Sequence, residues 1–366
     1  MKFLFFILFY GFLLTCCSTY RLITHNFPGS GDQYIFPCVS FPASSSPLPI
    51  PTSYSASHFS REFQHFLRTH HTLAFLMIQN DTIRIEYYAP HLSPNQTIDL
   101  FSISKSIVAS VAGIAYEEGY LSSLSDTLGQ YFKNLPPHYP CISIDDLLNM
   151  RSGIHNSMYY TTRLYYSHNL SGTLSRIPQH LSPGRTYEYN NAATQWLVAL
   201  IEEVTQMNFA DYFYQKLWLP LGMEDRGNWT IDSRRQKHVR GFCGLNLSAR
   251  DLGKLGLCYL HNGHYAGQQV IPSTWMDSTF HGSASSQPTP EDPIYHMHWR
   301  IFVPDEEVLA KGLLGQYLYL NKKTNTVIIR LGSRESSVEW LPFFRELMDS
   351  PKAISGFCSK NNWQKL

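Results

Sequence analysis

Ser102-Ile103-Ser104-Lys105 places a hydroxyl and an amine three residues apart, at the head of the apolar run FSISKSIVASVAGIAY from Phe101 to Tyr116. On a helix, residues at that spacing share a face and lie about one turn from each other. The serine would stand at the helix N-terminus, where the backbone dipole favours developing negative charge. A lysine accepts a proton only in its neutral form, and burial among apolar neighbours favours that form. The plainer alternative is an N-cap serine beside a surface lysine. A solvated lysine face expects charged neighbours, and the run around Lys105 contains none.

A second group is Tyr189-Asn190-Asn191, just ahead of a helical pattern. A tyrosine hydroxyl can relay a proton, and an asparagine amide can hold a substrate carbonyl. The same Y-x-N spacing at Tyr319-Leu320-Asn321 sits in a strand beside a hairpin turn and reads as structural. Acyl transfer also needs donors for an oxyanion, worth roughly two to three powers of ten in rate, and a sheet strand's backbone N–H can complete them. Lys254-Leu255-Gly256 lies in a helical segment and cannot supply that strand. Ala310-Lys311-Gly312 lies in a strand-like run, where Gly312 lets a substrate approach closely.

Sixteen histidines invite a metal or a Ser-His-Asp triad, but H-E-x-x-H, G-x-S-x-G and zinc-spaced His/Cys clusters are all missing. No metal and no cofactor are expected. His70-His71 read as surface or edge residues, while His155 could border a cleft. Tyr159-Tyr160 and Tyr165-Tyr166 read as an aromatic loop, either walling a substrate site or exposed on a helical insertion.

The elements that must position these groups follow from periodicity. REFQHFLRTH from Arg61 reads as a short helix; TLAFLMIQ (72–79), Asn80-Asp81 and TIRIEYYA read as a hairpin. Helices are expected over 101–116, 191–204 and 248–260, the last opening on an N-cap signature at Ser248. VLAKGLLGQYLYL and TVIIRLG read as two apolar strands joined at 321–325. Strands at both ends with helices between them predict an α+β fold: an antiparallel sheet flanked by helices, with an inserted, mainly helical subdomain at about 106–224.

The chain has 366 residues, 43% hydrophobic and 16% charged, which rules out disorder over most of it. Twenty-nine Lys+Arg against 28 Asp+Glu leave no basic stripe for nucleic acid. Met1-Lys2 followed by an apolar run to Leu14 is too short to span a bilayer but fits a signal peptide, residues 1–17. Ending in Thr15-Cys16-Cys17, it looks like a bacterial lipoprotein signal, with Cys16 or Cys17 open to lipid attachment; a plain cleaved signal and an uncleaved anchor are the alternatives. Each places the protein outside the cytoplasm, in the periplasm or cell envelope. The remaining cysteines, Cys38, Cys141, Cys243, Cys258 and Cys358, are widely spaced and odd in number, so at least one thiol stays free in a monomer. Residues 18–60 are rich in Ser and Pro and read as a linker, 61–349 as the catalytic domain and 350–366 as a tail.

The ordered set S-x-x-K, Y-x-N and a strand-borne x-x-G resembles serine β-lactamases and penicillin-recognising D,D-peptidases. With the flanking IDDLLNMRSGI, YEYNNAATQWLVALIEEVT and GLNLSARDLGKLGLCYLHNG, the chain resembles class C β-lactamase-related serine hydrolases, most like the branch containing 6-aminohexanoate-dimer hydrolase. The resemblance spans about Thr72 to Gly332. It implies Ser102 as nucleophile, Lys105 and Tyr189 as base and proton relay, and Asn191 as a positioning amide. The backbone at Gly312 and Leu313, with the N–H of Ser102, would form the oxyanion hole. Ala310 departs from the pattern: the lactamases carry Lys there and the esterases often His, which weakens the case for β-lactam recognition. The implied activity is hydrolysis of a small amide or ester through an acyl-enzyme. A β-lactamase or D,D-peptidase acting on cell-wall peptides, and a non-catalytic envelope binding protein, are the rivals. The expected partner is a small molecule or peptide.

Overall fold

The computed structural model describes residues 28–29, 31–53, 60–137, 139–282, 293–302 and 306–349. The expected signal, with Cys16 and Cys17, and the C-terminal tail lie outside them.

The strands in chain order are β1 (Cys38–Phe41), β2 (Thr72–Gln79), β3 (Thr82–Tyr88), β4 (Ile98–Asp99), β5 (Gly227–Thr230), β6 (Leu245–Leu247), β7 (His264–Tyr265), β8 (Gln268–Gln269), β9 (Ile294–His296), β10 (Trp299–Phe302), β11 (Glu307–Gly312), β12 (Gln316–Asn321) and β13 (Thr326–Gly332). A seven-stranded sheet runs β3-β2-β13-β12-β11-β10-β9, every pair antiparallel. Its central strands are apolar at nearly every position because both faces are covered. In β13, Val327, Ile329 and Leu331 face one core while Ile328 faces the other, as strand alternation requires. The first core is filled by the helices Ile103–Glu117 and Ala249–Leu260; the second by helices Arg61–Thr69 and Trp340–Asp349, through Phe63, Leu67, Trp340 and Phe344. A smaller sheet, β1-β5-β6-β4, ends on the strand that leads into Ser102. The architecture is therefore α+β, with the helices between Ile103 and Trp218 forming a helical block beside the sheet.

Two expectations need correction. VLAKGLLGQYLYL is not one strand but two, β11 and β12, turning at 313–315 with Leu314 and Gly315 at φ 64° and 80°. Leu313-Leu314 at its centre are apolar, and they hide such a turn. The stretch 18–60 is not merely a tether either: over its described part β1 pairs with β5, and Phe36, Phe41 and Ile50 are buried in the main core. Its Ser and Pro residues masked three apolar anchors.

Candidate active site

Helix Ile103–Glu117 buries thirteen of its residues, from Ile103 to Ala115, so its one lysine is carried inside with it. Lys105 is 1% exposed. Its Nζ donates to Ser102 Oγ at 2.9 Å and to the Phe242 carbonyl at 2.8 Å. Ser102 occupies the N-cap position, yet its side chain caps nothing; the hydroxyl is left to the lysine. The plain N-cap reading therefore does not account for this serine. Ser104 is fully buried and cannot meet a substrate.

The turn that presents Ser102 is strained. Phe101 holds φ 45°, a left-handed conformation that costs a side-chain-bearing residue of order 1–3 kcal/mol. The buried Asp99 carboxylate secures it by accepting the Phe101 N–H at 2.8 Å. Burial, with help from Asp32, pushes the Asp99 carboxyl up to about 7, against the opposing bonds from the backbone of Phe101 and Gly244.

Across the cleft, Gly312 of β11 lies against this turn. A Cβ there would meet the Leu100 carbonyl oxygen at 2.4 Å and Ser102 N at 3.2 Å, so only glycine permits the approach. Among the described residues, neither the Ser102 N–H nor the Leu313 N–H donates a hydrogen bond. Ala310 is buried, and Lys311 is exposed on the opposite face with its Nζ 5.5 Å from the Tyr317 ring centre.

Tyr189 comes to the same pocket, with Lys105 Nζ 4.9 Å from its ring centre. Asn190 is spent on structure, capping the Asn191–Thr205 helix through Ala192 N and donating to the Ile154 carbonyl. Asn191, first residue of that helix, is half-buried and lines a shallow cleft with His155, Asn156 and Tyr160. The structure therefore brings together Ser102, Lys105, Tyr189 and Gly312-Leu313, with Asn191 lining the adjoining cleft. Tyr165 and Tyr166 do not join them: both are core residues, Tyr165 closing a helix and bonding the Asp32 carboxylate.

Sequence reasoning missed Asp99, Tyr295 and His298. Tyr295 packs edge-on to Tyr189, ring centres 5.8 Å apart. His298 is buried beside Thr194, with Nε2 3.2 Å from Thr194 Oγ1; burial and the nearby Lys105 charge drive its pKa down to about 3. Their strand, IYHMHWRIF, carries no motif, and their place at the site depends on pairing between β9, β10 and β11. Among the described residues no group of His, Cys, Asp and Glu is placed to hold a metal, and the four described cysteines are free thiols.

The beta-lactamase family model matches residues 59–340. The 6-aminohexanoate-dimer hydrolase of Paenarthrobacter ureafaciens is 25% identical over 287 residues, 72% of each chain. Among solved structures, a Bacillus anthracis protein assigned as a 6-aminohexanoate-dimer hydrolase superposes with TM-score 0.78 at 20% identity, covering 88% of this chain and 92% of its own. A penicillin-binding protein from Bacillus halodurans gives TM-score 0.60 at 15% identity, covering 79% of this chain and 99% of its own.

Proposed function

Since the chain belongs to the beta-lactamase family of serine hydrolases, we propose that it is an exported enzyme cleaving a small amide or ester through an acyl-enzyme on Ser102. The observation that carries this reading is the buried Lys105 amine 2.9 Å from a serine hydroxyl released from capping duty. In this scheme Lys105 takes the Ser102 proton as Oγ attacks the carbonyl carbon. The N–H groups of Ser102 and Leu313 bind the oxyanion, donors fixed in place before the charge develops. Tyr189 passes the proton to the leaving group, Asn191 holds the substrate amide or carbonyl, and water then hydrolyses the acyl-enzyme. Export rests on the N-terminal apolar run, with Cys16 or Cys17 available for lipid attachment.

Short esters or amides are the favoured substrates over β-lactams, because Ala310 offers no charge to a carboxylate fixed beside the scissile bond. A chromogenic cephalosporin should be turned over more slowly than short esters, and Ala310→Lys should narrow the gap.

Labelling with a fluorophosphonate probe tests the scheme. Ser102→Ala should abolish labelling with an unchanged circular dichroism spectrum, and Ser104→Ala should keep it. Lys105→Met and Tyr189→Phe should each lower turnover by roughly two to four powers of ten. Labelling that survives Ser102→Ala, or near-normal turnover in both of the other variants, contradicts it.

A further inference from the structure

One buried arginine holds the turn between β11 and β12. Arg330, on β13, is fully buried, and among the described residues no carboxylate lies within ion-pair distance of it; the exposed Glu335 acts on it electrostatically only. Arg151, Arg250 and Arg345, by contrast, each hold an acid at 2.6 or 2.7 Å. Backbone takes most of the Arg330 fork. Its Nη1 donates to the carbonyls of Gly315 at 2.6 Å and Leu314 at 3.3 Å, and its Nη2 to the His70 carbonyl at 2.6 Å. Its Nε donates to Thr72 Oγ1 at 3.2 Å, and Cζ lies 4.4 Å from the Trp340 ring centre. A Cβ at Gly315 or Gly332 would come within 1.8 or 2.2 Å of Nη1, so both glycines clear room for the guanidinium. Beside it the buried Gln316 amide makes a second clamp, donating to the Gly332 carbonyl at 2.9 Å and accepting the Gly332 N–H at 2.7 Å.

The two carbonyls that Nη1 meets belong to a strained loop. Leu314 holds φ 64° and Gly315 φ 80°, and a leucine in the left-handed region persists only where its surroundings over-determine it. The same loop is where acyl transfer needs precision. Strand β11 ends at Gly312, against the Leu100 carbonyl and Ser102 N, and the next residue supplies the second oxyanion donor in the scheme above. A cation buried without a carboxylate is costly unless dipoles compensate it, and here the loop's own carbonyls are among those dipoles. We infer that Arg330 is a positioning residue of the reaction: its guanidinium fixes the 313–315 turn and, through it, the Leu313 N–H, so the donor is set before charge develops on the substrate oxygen. This rests on the acyl-enzyme reading above and deepens it.

Two variants test it. Arg330→Lys keeps a buried cation but cannot span the Leu314, Gly315 and His70 carbonyls as the planar fork does. Gly315→Ala attacks the same contact from the turn. Arg345→Gln is the control, because Arg345 pairs with Glu307 at the opposite end of β11. Fluorophosphonate labelling carried to completion counts the competent Ser102 in each sample, so unfolded protein drops out of every rate. Two quantities are then read: kcat and KM on a short p-nitrophenyl ester, and the Ki of phenylboronic acid. In the boronate adduct Ser102 Oγ bonds the boron, its proton passes to Lys105, and one boron hydroxyl takes the oxyanion position. Arg330→Lys should lower kcat per site about tenfold and Gly315→Ala up to about a hundredfold, with KM changing less than about threefold. The boronate Ki should rise by the same factors as kcat falls. Arg345→Gln should lower Tm and leave kcat and Ki per site unchanged. Should one of the two variants fail to fold, the other decides. A kcat or Ki per site that stays unchanged in either, or equal losses in Arg345→Gln, overturns this inference alone. Absence of both Ser102 labelling and ester turnover in the unmodified protein overturns the acyl-enzyme reading beneath it.

Discussion

At the scale of single residues, the site depends on where two ionisable side chains have been placed inside the protein. Lys105 is carried in on a helix that is apolar nearly all round, while Asp99 is buried under the turn that presents Ser102. The Asp99 carboxyl has its pKa raised from 3.8 to about 7, chiefly by burial. Between those two values the folded protein keeps a proton that the unfolded chain has released. Stability therefore falls as pH rises through that window, by at most about 4 kcal/mol. Asp99→Asn, which keeps an acceptor for Phe101 N–H without a charge, should flatten this part of the curve; urea unfolding at pH 5 and pH 8 measures it. An equal pH 5 to pH 8 difference in the variant would mean that Asp99 does not titrate there. Ser102, Lys105, Tyr189 and Asn191 could be picked out from residue type and spacing. Asp99 could not, because its importance comes from the positive φ of Phe101 and from burial, and neither leaves a trace in the letters IDLFS.

At the scale of elements, the decisive contact is between the end of β11 and the turn before the Ile103–Glu117 helix. Gly312 allows it, bringing β11 against the Leu100 carbonyl and the Ser102 N–H. Gly312→Ala should push β11 off the Leu100 carbonyl. The expected result is a fall in kcat of about two powers of ten, the loss of one oxyanion donor, with KM moving less. Steady-state kinetics on any turned-over ester checks this, and unchanged kcat would remove β11 from the hole. Helix and hairpin positions were readable because the 3.6 and 2 periodicities are local properties. The turn between β11 and β12 was not, since its leading residues Leu313-Leu314 are as apolar as the strands on either side. Its φ values of 64° and 80° at Leu314 and Gly315 belong to the folded hairpin. Nor could the pairing of β9 and β10 beside β11, which brings Tyr295 against Tyr189, be read from a segment without a motif.

At the scale of the whole molecule, the fold extends upstream of the family-matched residues 59–340. Phe36, Phe41 and Ile50 are buried, β1 pairs with β5, and the Arg240 guanidinium lies 4.0 Å from the Phe36 ring centre. Burying three such side chains is worth several kcal/mol, a large part of a typical domain's 5–15 kcal/mol. A chain beginning at Ser60 should lose at least about 10 °C in Tm or fail to fold, as a thermal scan would show. An unchanged Tm would restore the description of this segment as a tether. Composition alone could not separate the two, because Ser and Pro dominate the count while a few apolar residues carry the packing.

The strand order also dictates when the protein can fold. Leu76 pairs with Ile329, and Val39 with Trp229, so β1 and the inner edge of β2 find their partners only after most of the chain has been made, although β2 pairs early with β3. Closing such long loops is slow, and β1 and the inner edge of β2 stay bare meanwhile. As the chain emerges from the ribosome its helical middle can form early, but the central sheet cannot close before β13 arrives. For most of synthesis, then, this is an unfolded chain with sticky strands at its leading end, which makes it a natural client for holding chaperones.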